Sequence, residues 1–320
     1  MYKIARPFFI WVQTPLHAGS GNDLGIIDLP IQREKHTSYP KIEASGLKGS
    51  IRESFEEQKG KELDGFGKID QESIDLVFGP ENARSDGHAG ALGFSDARLL
   101  LFPVKSMKGV FVWVTCPQVL KRFERDLKIC APDGSMLTRF FDIKKDNNKP
   151  YANIPDELTV SNLSEIEVKD RKIVLEEYAF PVTETRSTME FANKLSAELG
   201  IEEIKRKVVV LPNETFRDFV QLSTEVITRT KIDSESGTVK DGSLFTEEYL
   251  PSESILYSLA LVSPLFVENE AKKGKFKAES TEGEIQKIKD FFVNGLPEVM
   301  QIGGNATLGK GIVMMKVVSG

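Results

Sequence analysis

Residues 14–43 contain most of the side chains whose types and spacing could perform chemistry. Asp28 is the most informative of them, because two isoleucines precede it and Leu29 follows it directly. A carboxylate with apolar neighbours is either part of a capped turn or a functional group whose proton affinity is tuned. The same segment carries further titratable or phosphate-binding residues, which are His17, Asp23, Arg33, Lys35, His36 and Lys41.

A second candidate segment is the glycine-rich stretch 301–311. Gly304 to Lys310 fits the spacing Gly-x-x-x-x-Gly-Lys of a phosphate-binding loop, in which backbone amides hold the phosphates. Gly311 stands where an NTPase needs Ser or Thr for magnesium, and the apolar residues after it predict a strand instead of the required helix. The stretch therefore indicates close approach of a backbone to phosphate, with Lys310 adding charge. A plain glycine-rich turn is the alternative.

Other motifs are near misses. Gly19, Gly21 and Gly25 approach the dinucleotide-binding fingerprint, but Leu24 occupies the position of its third glycine and no helix pattern begins there. No Ser-His-Asp order with a nucleophile elbow and no His-x-x-x-His pair is present. A Rossmann enzyme and a triad hydrolase are therefore disfavoured.

Basic residues are concentrated locally in an acidic chain. The 320 residues include 42 Lys and Arg against 48 Asp and Glu, a net charge of −6, which argues against a generally basic nucleic-acid binder. Residues 29–52, however, contain five basic and two acidic residues, a net charge of +3. Lys48 and Arg52 in this segment lie one helical turn apart, so they line either a positive groove or a solvated helix face.

Composition narrows the class of protein. A hydrophobic content of 40% is that of a folded chain, and the length predicts two domains or one core with large insertions. Two cysteines without a Cys-x-x-Cys pair exclude a disulfide framework and a thiolate zinc site. No apolar stretch is long enough to span a bilayer, so we expect a cytoplasmic protein without membrane contact.

The periodicity predicts an α+β fold. Apolar spacing predicts helices over 44–55, with Ser45 as its cap, and from Pro117 onward; it predicts strands over 2–13, 91–102, 109–116 and 311–318. The order strand, helix, strand, strand, helix, strand is that of a ferredoxin-like, RRM-like βαββαβ core. The predicted parts are a first half of the core with a catalytic loop (1–57), an exposed insertion (58–90), a core continuation (91–130), an insertion with a hairpin whose tip is 233–243 (131–254), and the completion of the core with the glycine-rich loop (255–320).

The loop sequence resembles a known family. The stretches 14–21 and 24–40 and the motif Leu47-Lys48-Gly49-Ser-Ile-Arg52 resemble the backbone subunit of the type III-B CRISPR RNA-silencing (Cmr) complex, a member of the RAMP superfamily. The resemblance returns at Val77-Phe78-Gly79, at Glu247-Glu248-Tyr249 and in the glycine-rich loop. It spans the chain, with its most specific motifs near the N-terminus.

The resemblance implies a ferredoxin-like core with a thumb-like β-hairpin. It also implies an assembly of copies stacked head to tail along a CRISPR guide RNA, with other Cmr subunits, that cleaves complementary target RNA using Mg2+ or Mn2+. It places the essential acid, which is also the metal ligand, on Asp28, and further catalytic roles on Glu247 and Tyr249. The residues expected to contact RNA are His17, Arg33, Lys41, Lys48, Arg52, Gly303, Gly304 and Lys310.

Two alternatives to a guided endoribonuclease remain open. One is a non-catalytic scaffold that binds only guide RNA and neighbouring subunits; Asp28 within its full motif favours the enzyme. The other is a P-loop NTPase, which specific ATP binding to the isolated chain would support.

Overall fold

The computed structural model describes residues 2–21, 25–81, 87–146, 149–240, 243–267 and 269–318. The strands are, in chain order, β1 (Ile4–Val12), β2 (Lys41–Ile42), β3 (Glu62–Leu63), β4 (Gly67–Lys68), β5 (Leu92–Phe94), β6 (Ala97–Lys105), β7 (Phe111–Thr115), β8 (Ile143–Asp146), β9 (Lys149–Ala152), β10 (Thr159–Val160), β11 (Lys172–Leu175), β12 (Tyr178–Pro181), β13 (Thr183–Glu184), β14 (Val208–Val210), β15 (Glu225–Arg229), β16 (Phe245–Tyr249), β17 (Ile255–Val262), β18 (Val299–Gln301) and β19 (Ile312–Val317). The α-helices are α1 (Ala44–Glu56), α2 (Gln71–Phe78), α3 (Pro117–Cys130), α4 (Leu163–Ile166), α5 (Arg186–Leu199), α6 (Ile204–Lys207), α7 (Asn213–Leu222) and α8 (Thr281–Gly295), and short 3-10 turns lie at Leu137–Arg139, Glu270–Phe276 and Ala306–Leu308.

One large mixed sheet organises the chain. Its strand order is β13-β10-β14-β7-β6-β17-β1-β19-β18, with β2 and β5 attached beside it. β1 runs antiparallel to both β17 and β19, whereas β7 pairs in parallel with β14. The α+β class predicted from sequence is therefore confirmed.

Strand β1 is an interior strand of this sheet, and both of its faces are apolar. Successive side chains of a strand point to opposite faces, so Phe8 and Phe9 contact different layers. The ring of Phe8 lies 6.0 Å from that of Phe292 in α8, and the ring of Phe9 lies 6.0 Å from that of Phe123 in α3. Helices thus cover the sheet on both sides of β1, which accounts for the full burial of Phe8, Phe9 and Ile10.

The predicted elements at both ends of the chain are confirmed, with local differences. Helix α1 buries Leu47, Ile51 and Phe55 as expected, but the prediction that Ser45 caps it is wrong. The N-cap is Glu43, and the Ala44 amide donates instead to Asp96 Oδ1 at 2.9 Å. The carboxylate of Asp96, which is distant in sequence, therefore accepts a hydrogen bond from the first backbone amide of this helix.

The neighbours of β1 differ from those that sequence order suggests. The predicted strand over 109–116 forms as β7, but it pairs with β6, while β17 and β19 flank β1. Residues 58–90, expected to form an exposed insertion, include helix α2, in which Ile74 and Val77 are fully buried. Strands β10 and β14 extend the same sheet beyond β7.

The β15–β16 hairpin forms a separate two-stranded sheet. Its pairing continues outward through a bridge between Ile232 and Val239, close to the predicted turn at Ser236-Gly237. Residues 241–242 of the predicted tip lie outside the described residues. Among the helices in the described ranges, none combines the length and apolar character that crossing a membrane requires.

Candidate active site

Three segments meet beyond the end of β1 and hold His17 between them. Leu16 exchanges two backbone hydrogen bonds of 2.9 Å with Leu250, the residue that follows β16. On the other side, the Gly304 amide donates to the carbonyl of His17 at 2.9 Å. The glycine-rich loop between β18 and β19 therefore packs directly against the loop that follows β1.

The carboxylate of Glu247 is the centre of a buried polar network. The Tyr249 hydroxyl donates to its Oε2 at 2.6 Å, and the Asn305 amide donates to its Oε1 at 2.6 Å. Arg229 Nε lies 2.9 Å from Oε2, and the Arg229 guanidinium also donates to the Tyr249 hydroxyl. The network links the β15–β16 hairpin to the glycine-rich loop.

His17 joins the edge of this network. Its Nδ1 lies 2.7 Å from the carbonyl oxygen of Glu248, so Nδ1 carries the proton, because a carbonyl can only accept. Nε2 lies 3.6 Å from Glu247 Oε1, and the imidazole ring centre lies 5.6 Å from that of Tyr249. Both ring nitrogens of His17 therefore face acceptors of the protein itself.

The network fixes the charge of its members. Burial raises the pKa of Glu247, but hydrogen bonds from Tyr249 and Asn305 and the charges of His17 and Arg229 outweigh it and hold that pKa below its usual value. Burial, together with the hydrogen bond to Glu247, raises the pKa of Tyr249 to about 12. Glu247 is therefore an anion at neutral pH, and Tyr249 is a hydrogen-bond donor.

Asp28 is exposed and is held by Thr246 alone among the described side chains. The Thr246 amide donates to Asp28 Oδ2 at 2.7 Å, and the Thr246 hydroxyl donates to the same oxygen at 2.8 Å. The Asp28 amide in turn donates to the Thr246 hydroxyl at 3.0 Å. The backbone amide of Thr246, followed by its hydroxyl, lowers the pKa of Asp28, so this carboxylate is ionised at neutral pH.

The Asp28 contact and the Glu247 network lie on opposite faces of β16. Thr246 and Glu247 are consecutive in this strand, and side chains alternate between its two faces. The structure therefore brings His17, Glu247 and Tyr249 together in one cluster and places Asp28 outside it. Strand β16 is the element that both share.

Arg33 ties the loop to the base of the hairpin. Its Nη2 lies 2.5 Å from Glu248 Oε1, and its Nη1 donates to the carbonyls of Ser38 at 2.8 Å and Val220 at 2.9 Å. Glu248, which is buried, also accepts from the Thr224 hydroxyl at 2.7 Å. The donors of Arg33 are thus directed into the protein.

The basic residues around α1 also pair within the chain. Lys41 lies 2.9 Å from Asp96, Lys48 donates to the carbonyl of Leu92 at 2.9 Å, and Arg52 lies 2.8 Å from both Glu56 and Asp75. Burial lowers the pKa of Lys48. These partners lie in α1, α2, β5 and the turn between β5 and β6, and none of them belongs to the His17 cluster.

Lys310 does reach the cluster. Its Nζ lies 5.0 Å from the centre of the Tyr249 ring, in a cation–π contact. Gly303 and Gly304 lie beside His17. Lys310 is therefore one of the residues predicted from sequence to contact RNA, and it contacts the network directly.

The sequence profile of the RAMP superfamily matches residues 10–314. That match covers nearly the whole chain, including every residue of the candidate site. The chain belongs to the RAMP superfamily.

Two relatives within the superfamily match almost end to end. The CRISPR system Cmr endoribonuclease Cmr4 of Pyrococcus furiosus is 35% identical over 311 residues, which cover 95% of this chain and 92% of that protein. The CRISPR system CMR subunit Cmr4 of Saccharolobus solfataricus is 26% identical over 328 residues, which cover 98% and 97% of the two chains. Within the RAMP superfamily, the chain therefore belongs with the Cmr4 proteins of CRISPR systems.

Solved RAMP structures agree with this placement. Oligomeric Cmr4 from Pyrococcus furiosus superimposes with a TM-score of 0.67 at 30% identity, covering 99% of this chain and 98% of that one. A chain of the type III-B Cmr-beta complex bound to cognate target RNA gives a TM-score of 0.70 at 23% identity, covering 99% and 98%. The second likeness shows a shared fold.

The described part of this RAMP chain does not build a metal site from its own side chains. Magnesium and manganese prefer several oxygen ligands, and no group of three or more His, Cys, Asp or Glu residues is assembled within the described ranges. Asp28 offers one carboxylate, with Oδ2 already accepting two hydrogen bonds. These residues do not fit a protein-built divalent site.

Three residues of the RAMP site were not predicted from sequence: Thr246, Arg229 and Asn305. Asn305 carried a usable signal, since it follows two glycines and adopts a positive φ of 65°, a conformation that asparagine tolerates better than most residues. Thr246 reaches Asp28 across 218 positions of chain, and Arg229 reaches Glu247 and Tyr249 through the register of the β15–β16 hairpin.

We predict that Gly303→Ala destabilises the chain, whereas Gly304→Ala is tolerated. A Cβ at Gly303 would lie 2.4 Å from the His17 carbonyl oxygen at a φ of +84°, so we expect a loss of roughly 1–3 kcal/mol in the free energy of unfolding. At Gly304, the nearest atom to an added Cβ is His17 Cδ2 at 3.5 Å, an ordinary contact. Urea unfolding of both variants measures the difference, and equal losses would contradict the packing argument.

Proposed function

We propose that the chain is a repeated backbone subunit of a type III-B CRISPR ribonucleoprotein that binds guide RNA and cleaves complementary target RNA. The observation that carries the proposal is the exposed, ionised Asp28 held by Thr246, in a chain 35% identical to a Cmr4 endoribonuclease. An exposed carboxylate with a fixed orientation suits proton transfer from a substrate that arrives from outside.

The proposed core is ferredoxin-like. It consists of β1, α1, β6, β17, α8 and β19, and its four strands lie in the order β19-β1-β17-β6 with antiparallel pairing throughout. The strand order 4-1-3-2 of the βαββαβ arrangement supports this assignment. On this basis β7 and α3 belong to one insertion between β6 and β17, and the β15–β16 hairpin at its end is the proposed thumb.

The proposed chemistry uses the RNA's own 2′-hydroxyl. Asp28 accepts the proton of that hydroxyl, the 2′-oxygen bonds to the adjacent phosphorus, and the bond from phosphorus to the 5′-oxygen breaks. The leaving oxygen takes a proton from water, and a 2′,3′-cyclic phosphate remains. No step is assigned to a metal ion, and the requirement for Mg2+ or Mn2+ stays a prediction.

Lys310 and the glycine-rich loop are the best supported of the proposed RNA contacts. Lys310 is part-exposed, and the loop backbone beside it contains Gly303 and Gly304. Contacts from such groups recognise phosphate and carry no sequence information, because the paired guide supplies it. RNA contact stays a prediction for the other basic residues and His17, whose polar atoms already bond within the chain.

A reconstituted complex tests the function. We expect complementary target RNA to be cut at regularly spaced positions, one for each subunit along the guide, because each copy presents one Asp28. A target with a scrambled sequence is the matched control and should stay intact. Binding of complementary target without any cleavage would support the non-catalytic scaffold instead.

A further inference from the structure

We propose that Thr246 positions the Asp28 carboxylate, so that strand β16 of the hairpin sets the direction in which the catalytic oxygen points. This inference rests on the proposed function, since it assigns a role toward Asp28. Nothing in the resemblance of the loop motifs identifies Thr246, which precedes the Glu247-Glu248-Tyr249 motif by one residue.

The first support is a reciprocal pair of hydrogen bonds. The Thr246 hydroxyl accepts from the Asp28 amide at 3.0 Å and donates to Asp28 Oδ2 at 2.8 Å. A hydroxyl has one proton to donate, so these two bonds define its orientation. The Thr246 amide adds a third bond to Oδ2 at 2.7 Å. Three bonds between the same two residues restrict rotation of the carboxylate.

The second support is the backbone around this pair. Leu29 N donates to the carbonyl of Thr246 at 3.0 Å, and Glu248 N donates to the carbonyl of Leu29 at 3.0 Å. Leu29 and Glu247 form a parallel bridge, so the chain after Asp28 runs beside β16 as an additional short strand. The segment that carries Asp28 is therefore bonded directly to strand β16 of the hairpin.

The third support is that the two carboxylate oxygens of Asp28 have different partners. Both donors of Thr246 go to Oδ2, and no side chain in the described ranges donates to Oδ1. A carboxylate anchored through one oxygen keeps the other available to a reacting hydroxyl. In reactions that depend on alignment, holding the reacting oxygen in place accounts for a large part of the rate enhancement.

The Thr246 hydroxyl can be tested separately from its size. Thr246→Val keeps the shape and the amide but removes the hydroxyl, and Thr246→Ser keeps the hydroxyl. In the reconstituted complex at saturating target RNA, we expect Thr246→Val to lower the cleavage rate by about 10-fold to 100-fold, with target affinity changed less than about twofold. Thr246→Ser should recover most of the rate.

Thr228→Val is the matched control. Thr228 lies opposite Thr246 in the same hairpin and is exposed, so it tests the loss of a threonine hydroxyl without contact to Asp28. Its cleavage rate should stay within about twofold of wild type, the range expected of a surface substitution away from special contacts. A slow Thr228→Val variant would overturn the proposal, because the effect would then belong to the hairpin in general.

Two further outcomes would also overturn it: a wild-type rate for Thr246→Val, or equal losses for the valine and serine variants. Asp28→Asn, measured in parallel, separates this inference from the proposed function. If Asp28→Asn is inactive and Thr246→Val is normal, the positioning role alone fails. If Asp28→Asn cleaves normally, the catalytic assignment itself fails.

Discussion

Target cleavage is expected to fall by about 100-fold to 10,000-fold in Asp28→Asn, the usual contribution of a general base, while target binding persists. Asparagine has nearly the shape of aspartate, and its carbonyl oxygen can still accept from the Thr246 amide. It cannot accept a proton from a hydroxyl at neutral pH. The measurement is the single-turnover cleavage rate of the reconstituted complex, paired with the dissociation constant for the same target.

Asp156→Asn is the matched control for this variant. Asp156 is likewise exposed, and its side chain makes no hydrogen bond within the described residues. Asp156→Asn removes one negative charge from the subunit, as Asp28→Asn does, so a general electrostatic effect on RNA binding or cleavage would appear in both variants. Equal rates for Asp28→Asn and Asp156→Asn would contradict a catalytic role for Asp28.

Glu248→Ala is expected to destabilise the folded chain by about 3–5 kcal/mol, the cost of removing one partner from a buried ion pair. Glu248 is 2% exposed and accepts from Arg33, from Thr224 and from the amide of Ile31 at 3.0 Å. Its removal leaves the Arg33 guanidinium part-buried without its anion. Urea unfolding of the purified chain measures the loss.

Two comparisons make this prediction specific. Glu202→Ala breaks an exposed pair with Lys205 and should cost less than about 1 kcal/mol. The double variant Glu248→Leu with Arg33→Met removes both charges and should regain part of the stability lost in Glu248→Ala. A loss in Glu248→Ala no larger than that in Glu202→Ala would show that the buried pair contributes nothing.

The Glu248→Ala measurement also tests whether Glu247 and Glu248, which are neighbours in one motif, have different roles. Glu247 faces the network with Tyr249 and Asn305, whereas Glu248 faces Arg33. Sequence alone presents them as a pair of adjacent acids. Their alternation along β16 gives one acid to the candidate site and the other to the stability of the hairpin base.

The local elements were predictable because their patterns are local. Strand β1 is apolar on both faces, and α1 repeats buried residues at four-residue spacing, so neither needed tertiary information. The neighbours of β1 were not predictable in the same way. A short turn joins β6 to β7 and predicts a hairpin, but β17 comes about 150 residues after β6, and no local pattern in either strand specifies their pairing.

The site was predictable only in part, for the same physical reason. Asp28 was identified through its apolar flanks and the resemblance, and the glycine-rich loop through its spacing. Counting charges over 29–52 suggested a positive groove, yet Lys41 and Arg52 pair with Asp96 and Asp75, acids that lie outside the segment. The net charge of a segment ignores partners that folding brings from elsewhere in the chain. The contact between Thr246 and Asp28 was missed for the same reason, because 218 positions separate the two residues.

The site can form only after the glycine-rich loop and β19 have been synthesised. His17 is held by Glu248, 231 positions later, and the amide of Ile312 donates to the Thr14 hydroxyl across 298 positions. At roughly 5–20 residues per second of translation, that second interval of 298 positions takes roughly 15–60 s. Until β17 has been synthesised, β1 lacks both of its sheet partners, and β19 follows later still. Translation therefore delays the moment at which a newly made subunit can act on RNA. A product truncated before β18 lacks both the glycine-rich loop of the site and the last two strands of the sheet.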